Sequence, residues 1–314
     1  MVKPKIYIDG QEGTTGLRIF ERFAGRDDIE ILTIDPALRK DPAERSRLIN
    51  ASDITFLCLP DAAAREAVSL ATSDHVRIID ASTAHRTHPD WAYGFPELSP
   101  ARREAIAVGR RIANPGCHAT GFISLVYPLV TAGVLPADTQ LSCFSLTGYS
   151  GGGKKMIAQY EDDARDAALD SPRPYGLTQQ HKHLPEMQKV CGLSRAPLFT
   201  PIVADYYAGM LVSVPLAAQQ LRGVSSLAQL HECYADAYAG QKLIRVMPPD
   251  AQSAGFLAAN GCAGWDGLEI HITGNDERMT VCARFDNLGK GASGAAVQSM
   301  NIMLGCDEAK GLNL

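Results

Sequence analysis

Two hydrophobic periods alternate along the first third of the chain. Residues 5–9 (KIYID), 29–34, 54–59 (ITFLCL) and 76–80 (VRIID) are short apolar runs, and each is predicted as a strand. Between them, residues 15–24, 42–50 and 62–71 are predicted as helices, the first on Leu17, Phe20 and Phe23 at helical spacing. Continuous apolar strands suit a sheet covered on both faces, and strand–helix alternation implies a doubly wound parallel α/β sheet. After about residue 118 the pattern changes. Residues 141–146, 198–203, 211–215, 243–246, 268–273 and 279–285 read as strands, with helices only at 154–168 and 226–239. That mixture predicts an α+β domain on a mixed or mostly antiparallel sheet. The last periodic stretch, 293–304, is helical and rich in small residues.

Composition adds exclusions. The 314 residues are enough for about two domains. The chain is 46% apolar and 21% charged, ordinary for a globular protein. A net charge of −5 argues against nucleic acid or an anionic membrane surface as partner, yet leaves room for a small anionic substrate. The longest uncharged stretch, 119–137, is interrupted by Gly121, Pro128, Gly133 and Pro136, so it is expected as a buried helix and not a membrane span. Eight cysteines without a C-x-x-C pair, and a start lacking an apolar leader, predict a reduced, cytoplasmic protein.

Candidate chemistry clusters in five places. Gly10, Gly13 and Gly16 follow the first strand and open the first helix, which is the setting of a dinucleotide-binding turn. A Cβ at Gly13 is expected to fill the pyrophosphate's space or strain the turn. Asp35 favours NAD, whereas Arg39 and Lys40 suit a 2′-phosphate, so the residues leave NAD and NADP open. Cys117, after Asn114-Pro115-Gly116, stands at a predicted helix N-terminus, where the dipole favours a thiolate nucleophile. His181, Lys182, His183 and Glu186 offer an acid/base with a carboxylate to orient it; a solvated polar loop is the alternative, and no spacing supports a metal. Gly148–Lys155 matches G-x-S-x-G around Ser150 and nearly matches a P-loop. A third reading has backbone N–H groups at a helix start, with Gly151 and Lys154, binding an anionic part of the substrate. Arg86 follows a strand end, where it can grip phosphate or carboxylate.

In order and combination, GQEGTTG, FLCLPDAAAREAV, IIDASTAHR, YGFPEL, NPGC, GYSGGGKKMI, HKHLPE and DNLGKGASGAAVQSMN resemble N-acetyl-gamma-glutamyl-phosphate reductase, in its shorter subfamily, over nearly the whole chain. The resemblance implies a Rossmann-type NADP domain plus an α+β catalytic domain of glyceraldehyde-3-phosphate-dehydrogenase-like type. It divides the chain into 1–118 with 291–314, and 119–290. It implies reduction of an acyl phosphate to a semialdehyde through a thioester on Cys117, with His183 preferred to His181 as acid/base. Gly10, Gly13, Thr14, Thr15, Gly16, Asp35, Arg39, Lys40, Pro60, Ser82 and Asn287 are then expected on the cofactor side. Arg86, Asn114, Ser150, Gly151, Lys154 and Glu186 are expected on the substrate side, and a homo-oligomer, dimer or tetramer, is expected overall. One departure is visible: the family commonly reads NPGCYPT, and here His118 and Ala119 follow the cysteine. The competing readings are an aspartate-semialdehyde-dehydrogenase-like enzyme and a serine hydrolase using Ser150.

Overall fold

A computed structural model of the chain describes residues 2–249, 251 and 255–314. The chain forms two units, one of residues 1–115 with 292–312 and one of 116–291 with 313–314.

The first unit is a six-stranded, all-parallel sheet. Its strands are β1 (Lys5–Asp9), β2 (Glu30–Leu32), β3 (Ile54–Leu57), β4 (Arg77–Asp80), β5 (Ala92–Tyr93) and β6 (Arg111–Ala113), in the order β2-β1-β3-β4-β6-β5. The helices are α1 (Thr14–Arg22), α2 (Pro42–Ala51), α3 (Asp61–Leu70), α4 (Pro100–Val108) and the C-terminal helix Gly294–Met303. Side chains alternate across a strand, so the sheet builds two cores. Ile6, Ile8, Ile54 and Phe56 pack with Ile19, Phe23, Val297 and Met300 on one face; Tyr7, Leu57 and Ile78 pack with Leu48, Ile49 and Ala64 on the other. Burial on both faces is why these strands read as unbroken apolar runs. The stripe expected on α1 is displaced. Gly16, Ile19 and Phe23 are buried, whereas Leu17 and Phe20 are exposed, because spacings of three and then four track one helix face better than two spacings of three. Strand order reverses between β1 and β3, which makes this the switch point, where such sheets open a ligand crevice.

The second unit carries a seven-stranded mixed sheet. Its elements are α5 (Cys117–Thr131), β7 (Ser142–Gly148), α6 (Gly153–Tyr160), β8 (Arg173–Pro174), α7 (Leu184–Cys191), β9 (Leu198–Ala204), β10 (Met210–Ala217), α8 (Leu227–Ala237), β11 (Ile244–Val246), β12 (Leu268–Gly274) and β13 (Arg278–Phe285). The sheet runs β11-β12-β13-β10-β7-β9-β8, with β11/β12 and β7/β9 parallel and the other neighbours antiparallel. The uncharged stretch forms α5, which is buried from His118 to Val126. A Cβ on Gly121 would overlap Val212 and lie 2.9 Å from the Phe285 ring, so glycine lets the helix backbone settle onto the sheet. Pro128 has no N–H for the Ser124 carbonyl four residues back. The Tyr238 hydroxyl donates to that carbonyl at 2.7 Å, and the Tyr234 hydroxyl donates to Leu125 O at 2.5 Å. The helix expected at 154–168 ends at Tyr160. Asp162 and Asp166 accept from Ala164 N and Ala168 N, two residues on, and these local bonds favour turns over helix. Among the described residues, no helix is long and apolar enough to cross a membrane.

Candidate active site

The division of the chain falls between Pro115 and Gly116, so Cys117 opens the second unit as the first residue of α5. The N-cap, Gly116, has no side chain to cap this helix and no acid lies in the helix's own first turn, so the thiol stands at its positive end. The HKHLPE segment is not a solvated loop. His183 is the N-cap of α7, Pro185 and Glu186 lie in its first turn, and both His183 and Glu186 are buried. The Gly116 N–H donates to Glu186 Oε2 at 3.2 Å, while Glu186 Oε1 stands 4.0 Å from His183 Nε2. One carboxylate therefore ties the cysteine turn to the imidazole. The His183 N–H donates to His181 Nδ1 at 3.2 Å, and the two rings meet edge to face at 4.7 Å. The residues point to Glu186 as a carboxylate that orients the imidazole, and the resemblance places it on the substrate side; its partners here are Gly116 N–H and, at 4.0 Å, His183 Nε2.

His118 sits among these rings, 5.5 Å from both His181 and His183 and 5.3 Å from Phe199. Its Nδ1 is 2.7 Å from Ser145 Oγ and its Nε2 2.6 Å from the Tyr175 hydroxyl. Burial, with the charges of His181 and Lys182 adding to it, lowers the His118 pKa to about 3, so the ring is neutral. Ser145 and Tyr175 were missed by sequence reasoning, because they lie 27 and 57 residues from His118.

Ser150 is buried, and Asn287 Nδ2 donates to its hydroxyl at 3.0 Å. Among the described residues no imidazole partners it, so the serine-hydrolase arrangement is not built by them. Asn287 Oδ1 accepts from Gly209 N–H at 2.9 Å, so the carboxamide expected near the cofactor bridges two loops of the second unit. The N–H groups of Gly148, Tyr149 and Ser150 donate to the carbonyls of Gly209, Tyr206 and Tyr207. The expected anion-binding N–H groups are thus narrowed to those after Ser150, next to the exposed Gly151 and Lys154.

In the first unit, Gly10 adopts φ +86°, and a Cβ there would overlap the Cys58 carbonyl oxygen. Gly16 is equally confined, with its Cβ position 2.5 Å from Gly10 O. Gly13 is not strained: its φ is −70° and the nearest atom to its Cβ position is 3.3 Å away. It is the N-cap of α1, ahead of Thr14 and Thr15, and neither a capping side chain nor an acid occupies that helix end. Arg39 pairs with Glu12 of the glycine loop, and exposed Lys40 follows. Asp35 is exposed and accepts from Ala37 N at 2.9 Å. Pro60 is the N-cap of α3, and the Ser82 hydroxyl donates to Asp80 Oδ2 at 2.7 Å. Asp80 also meets His85 Nδ1 at 2.6 Å, and that ring stacks on Trp91 at 4.1 Å; neither residue was singled out from the sequence. Arg86 donates through Nε to Asn114 O at 2.9 Å and through Nη2 to Ala81 O at 3.1 Å, bracing two backbone segments. Asn114 Nδ2 donates to Ala292 O at 2.9 Å.

Known proteins align with both units. Residues 7–106 match the semialdehyde dehydrogenase NAD binding domain, and residues 117–287 match the semialdehyde dehydrogenase dimerisation domain. An N-acetyl-gamma-glutamyl-phosphate reductase of Brucella anthropi is 50% identical over 97% of this chain and 99% of its own. N-acetyl-gamma-glutamyl-phosphate reductase 2 of Nostoc is 47% identical over 99% of this chain and all of its own. In fold, aspartate semialdehyde dehydrogenase II of Vibrio cholerae superposes with a TM-score of 0.73 at 16% identity, over 97% of this chain and 99% of that one. The Candida albicans enzyme, solved with NADP, gives 0.63 at 15% identity over 96% and 99%. The reductase names, borne by relatives this similar over full length, favour that reading over both the aspartate-type and the hydrolase alternatives. The chain belongs to the semialdehyde dehydrogenase family of oxidoreductases, among its N-acetyl-gamma-glutamyl-phosphate reductases.

Proposed function

We propose that Cys117 is the nucleophile in the NADPH-dependent reduction of N-acetyl-L-glutamyl 5-phosphate to N-acetyl-L-glutamate 5-semialdehyde, with release of phosphate, in arginine biosynthesis. The observation that carries the assignment is the Glu186 carboxylate, which bonds Gly116 N–H on one oxygen and faces His183 Nε2 on the other. It brings an uncapped helix start bearing a thiol to a histidine able to move a proton.

Residues of the first unit fit the dinucleotide. The cradle at Gly10 and Gly16 admits no Cβ, and α1 presents an uncapped N-terminus to a pyrophosphate. Gly13, Thr14, Thr15 and Gly16 would hold the pyrophosphate, and Arg39 with Lys40 the 2′-phosphate. Bound NADPH supplies the hydride that reduces the acyl carbon. Cys117 Sγ attacks the acyl phosphate, the C–O bond to phosphate breaks, and a thioester forms. The first-turn N–H groups of α5 stabilise the oxyanion. After reduction, His183 gives a proton to the oxygen, then takes it back as the carbon–sulfur bond breaks and the aldehyde leaves. Lys154 and the N–H groups around Gly151 hold an anionic end of the substrate. Arg86 and Asn114 shape the segment before the nucleophile.

The second unit also supports a homodimer. The sheet face away from α5 exposes Phe144 and Leu198 on neighbouring strands, with Leu146, Ile202 and Leu211 half-buried beside them. An apolar patch of that kind on a sheet fits a subunit contact, in keeping with the dimerisation-domain match over residues 117–287. All eight cysteines are thiols, in keeping with a cytoplasmic enzyme whose nucleophile must stay reduced. The test is the reverse assay: NADP reduction by N-acetylglutamate semialdehyde, with and without phosphate. Wild type should turn over only with phosphate, and Cys117→Ser should not turn over. Phosphate-independent activity, or an active serine variant, refutes the thioester route.

A further inference from the structure

His118 departs from the family's NPGCYPT, and its surroundings within the second unit give it a task. The ring is buried in the first turn of α5 and tied at both nitrogens. Its Nδ1 lies 2.7 Å from Ser145 Oγ on β7, and its Nε2 2.6 Å from the hydroxyl of Tyr175, one residue past β8. The same ring packs against His183 at 5.5 Å with a 53° tilt, against His181 at 5.5 Å edge to face, and against Phe199 of β9 at 5.3 Å. Rings attract one another at such separations. His181 and His183 hold each other, through the His183 N–H on His181 Nδ1 and their edge-to-face contact at 4.7 Å. Those two contacts lie within three residues, so they fix the shape of the turn and not its place on the unit. His118 touches both rings and is itself tied to the sheet. Burial keeps it neutral, so it sets no charge against a proton on His183.

We propose that His118 is a positioning residue: pinned by Ser145 and Tyr175, its ring is a fixed face against which His183 and His181 are held in the orientation that proton transfer needs. The inference rests on His183 being the acid/base. Such a group must stay within hydrogen-bond reach of the atom it protonates, and a small displacement of it is costly in rate. Glu186 approaches the same imidazole from α7, at 4.0 Å from Nε2. The ring is thus set from its own helix by a carboxylate and from α5 by His118.

The test releases the ring without removing it. Ser145→Ala and Tyr175→Phe each delete one anchor, and the double variant deletes both. Full-length enzyme is assayed in the reverse direction, and its histidine rings are followed by 1H–13C NMR, with His181 and His183 assigned from their Asn variants. The double variant should keep KM within about twofold and lose about 10- to 100-fold in kcat. In a His183→Asn background the same two changes should cost less than about twofold, because the ring they position is gone. Without substrate, the His183 and His181 resonances should move or broaden in the double variant, while those of His231 on α8 stay in place and report an intact fold. Each single variant, with one anchor left, should show the same changes at smaller size, and carries the test if the double variant disturbs His231. Unmoved His183 resonances, a loss confined to KM, or a loss that multiplies with that of His183→Asn overturns the proposal. Moved resonances with both kinetic constants unchanged would instead overturn the acid/base role given to His183 and leave the positioning standing.

Discussion

Substituting Gly10 by alanine separates two roles that a glycine fingerprint merges. At φ +86° an L-residue is strained by about 1–2 kcal/mol. The new Cβ would also overlap Cys58 O and stand 3.0 Å from both the Cys58 carbonyl carbon and Leu59 Cδ2. These atoms follow β3, which pairs with β1 along Ile6–Asp9, so relief requires the two central strands to part at their ends. Overpacking of a close-packed interior adds about 1–3 kcal/mol. The sum, roughly 2–5 kcal/mol, is a large share of an ordinary domain's stability. Gly13→Ala meets neither penalty, since φ is −70° and the nearest atom is 3.3 Å away. Its methyl instead projects at the N-cap of α1, where a pyrophosphate approaches the backbone. Thermal unfolding without cofactor should therefore lower Tm by at least about 5 °C in Gly10→Ala and leave Gly13→Ala within about 2 °C of wild type. NADPH titration should show Gly13→Ala binding at least about tenfold more weakly, a loss of about 1.4 kcal/mol. A Gly13 variant as unstable as the Gly10 variant, or one that binds NADPH normally, refutes this division of labour.

His183→Asn should lower kcat by about 10²–10⁴ with a small change in KM, and His181→Asn should cost less, as measured in the reverse assay. Glu186→Gln removes a charge from between Gly116 N–H and His183, so kcat should fall more than tenfold while NADPH affinity, read by fluorescence titration, stays unchanged. Arg39→Ala should weaken NADPH binding more than NADH binding; equal losses would place the 2′-phosphate elsewhere. Arg86→Lys loses the fork that braces Asn114 O and Ala81 O, so the KM for phosphate should rise together with a drop in Tm; a change in neither would sink its bracing role. His118 has a folded pKa of about 3, below the ordinary 6.5, so its contribution to stability is present above about pH 6.5 and is lost as pH falls toward 3. Urea unfolding at about pH 7 and pH 4.5 should show wild type losing more stability than His118→Phe over that interval.

What the sequence disclosed followed from how locally each feature is determined. The parallel sheet was legible because strands buried on both faces leave long apolar runs, as at Ile54–Leu57, where all four residues are inside. The Cys117 turn was legible because proline and glycine announce a helix start within three residues. Helix α7 was hidden by its own entrance. HKHLPE looks like solvated loop, yet Leu184, Met187, Val190 and Cys191 form a buried stripe behind it, and Pro185 with Glu186 is a first-turn signature that could have disclosed the helix. The two-residue β5 and β8 carry no periodicity and exist only because a neighbouring strand offers its edge.

The remaining features depend on bonds between residues far apart in the chain. Arg86 has the fork that grips phosphate, and the same fork suits backbone carbonyls; its bond to Asn114 O, 28 residues away, forms only in the folded unit. Asn287, which the resemblance places on the cofactor side, bonds Ser150 Oγ and Gly209 N–H, partners 137 and 78 residues away that no local pattern announces. His118 gives the sharpest case. In the sequence it shows only as a departure from NPGCYPT, an imidazole whose charge the motif leaves open. Burial removes that charge, and Ser145 and Tyr175 partner its two ring nitrogens. The chemistry of an imidazole in this position is set less by its being histidine than by the neighbours that partner it, a strand and a loop that meet it only in the folded unit.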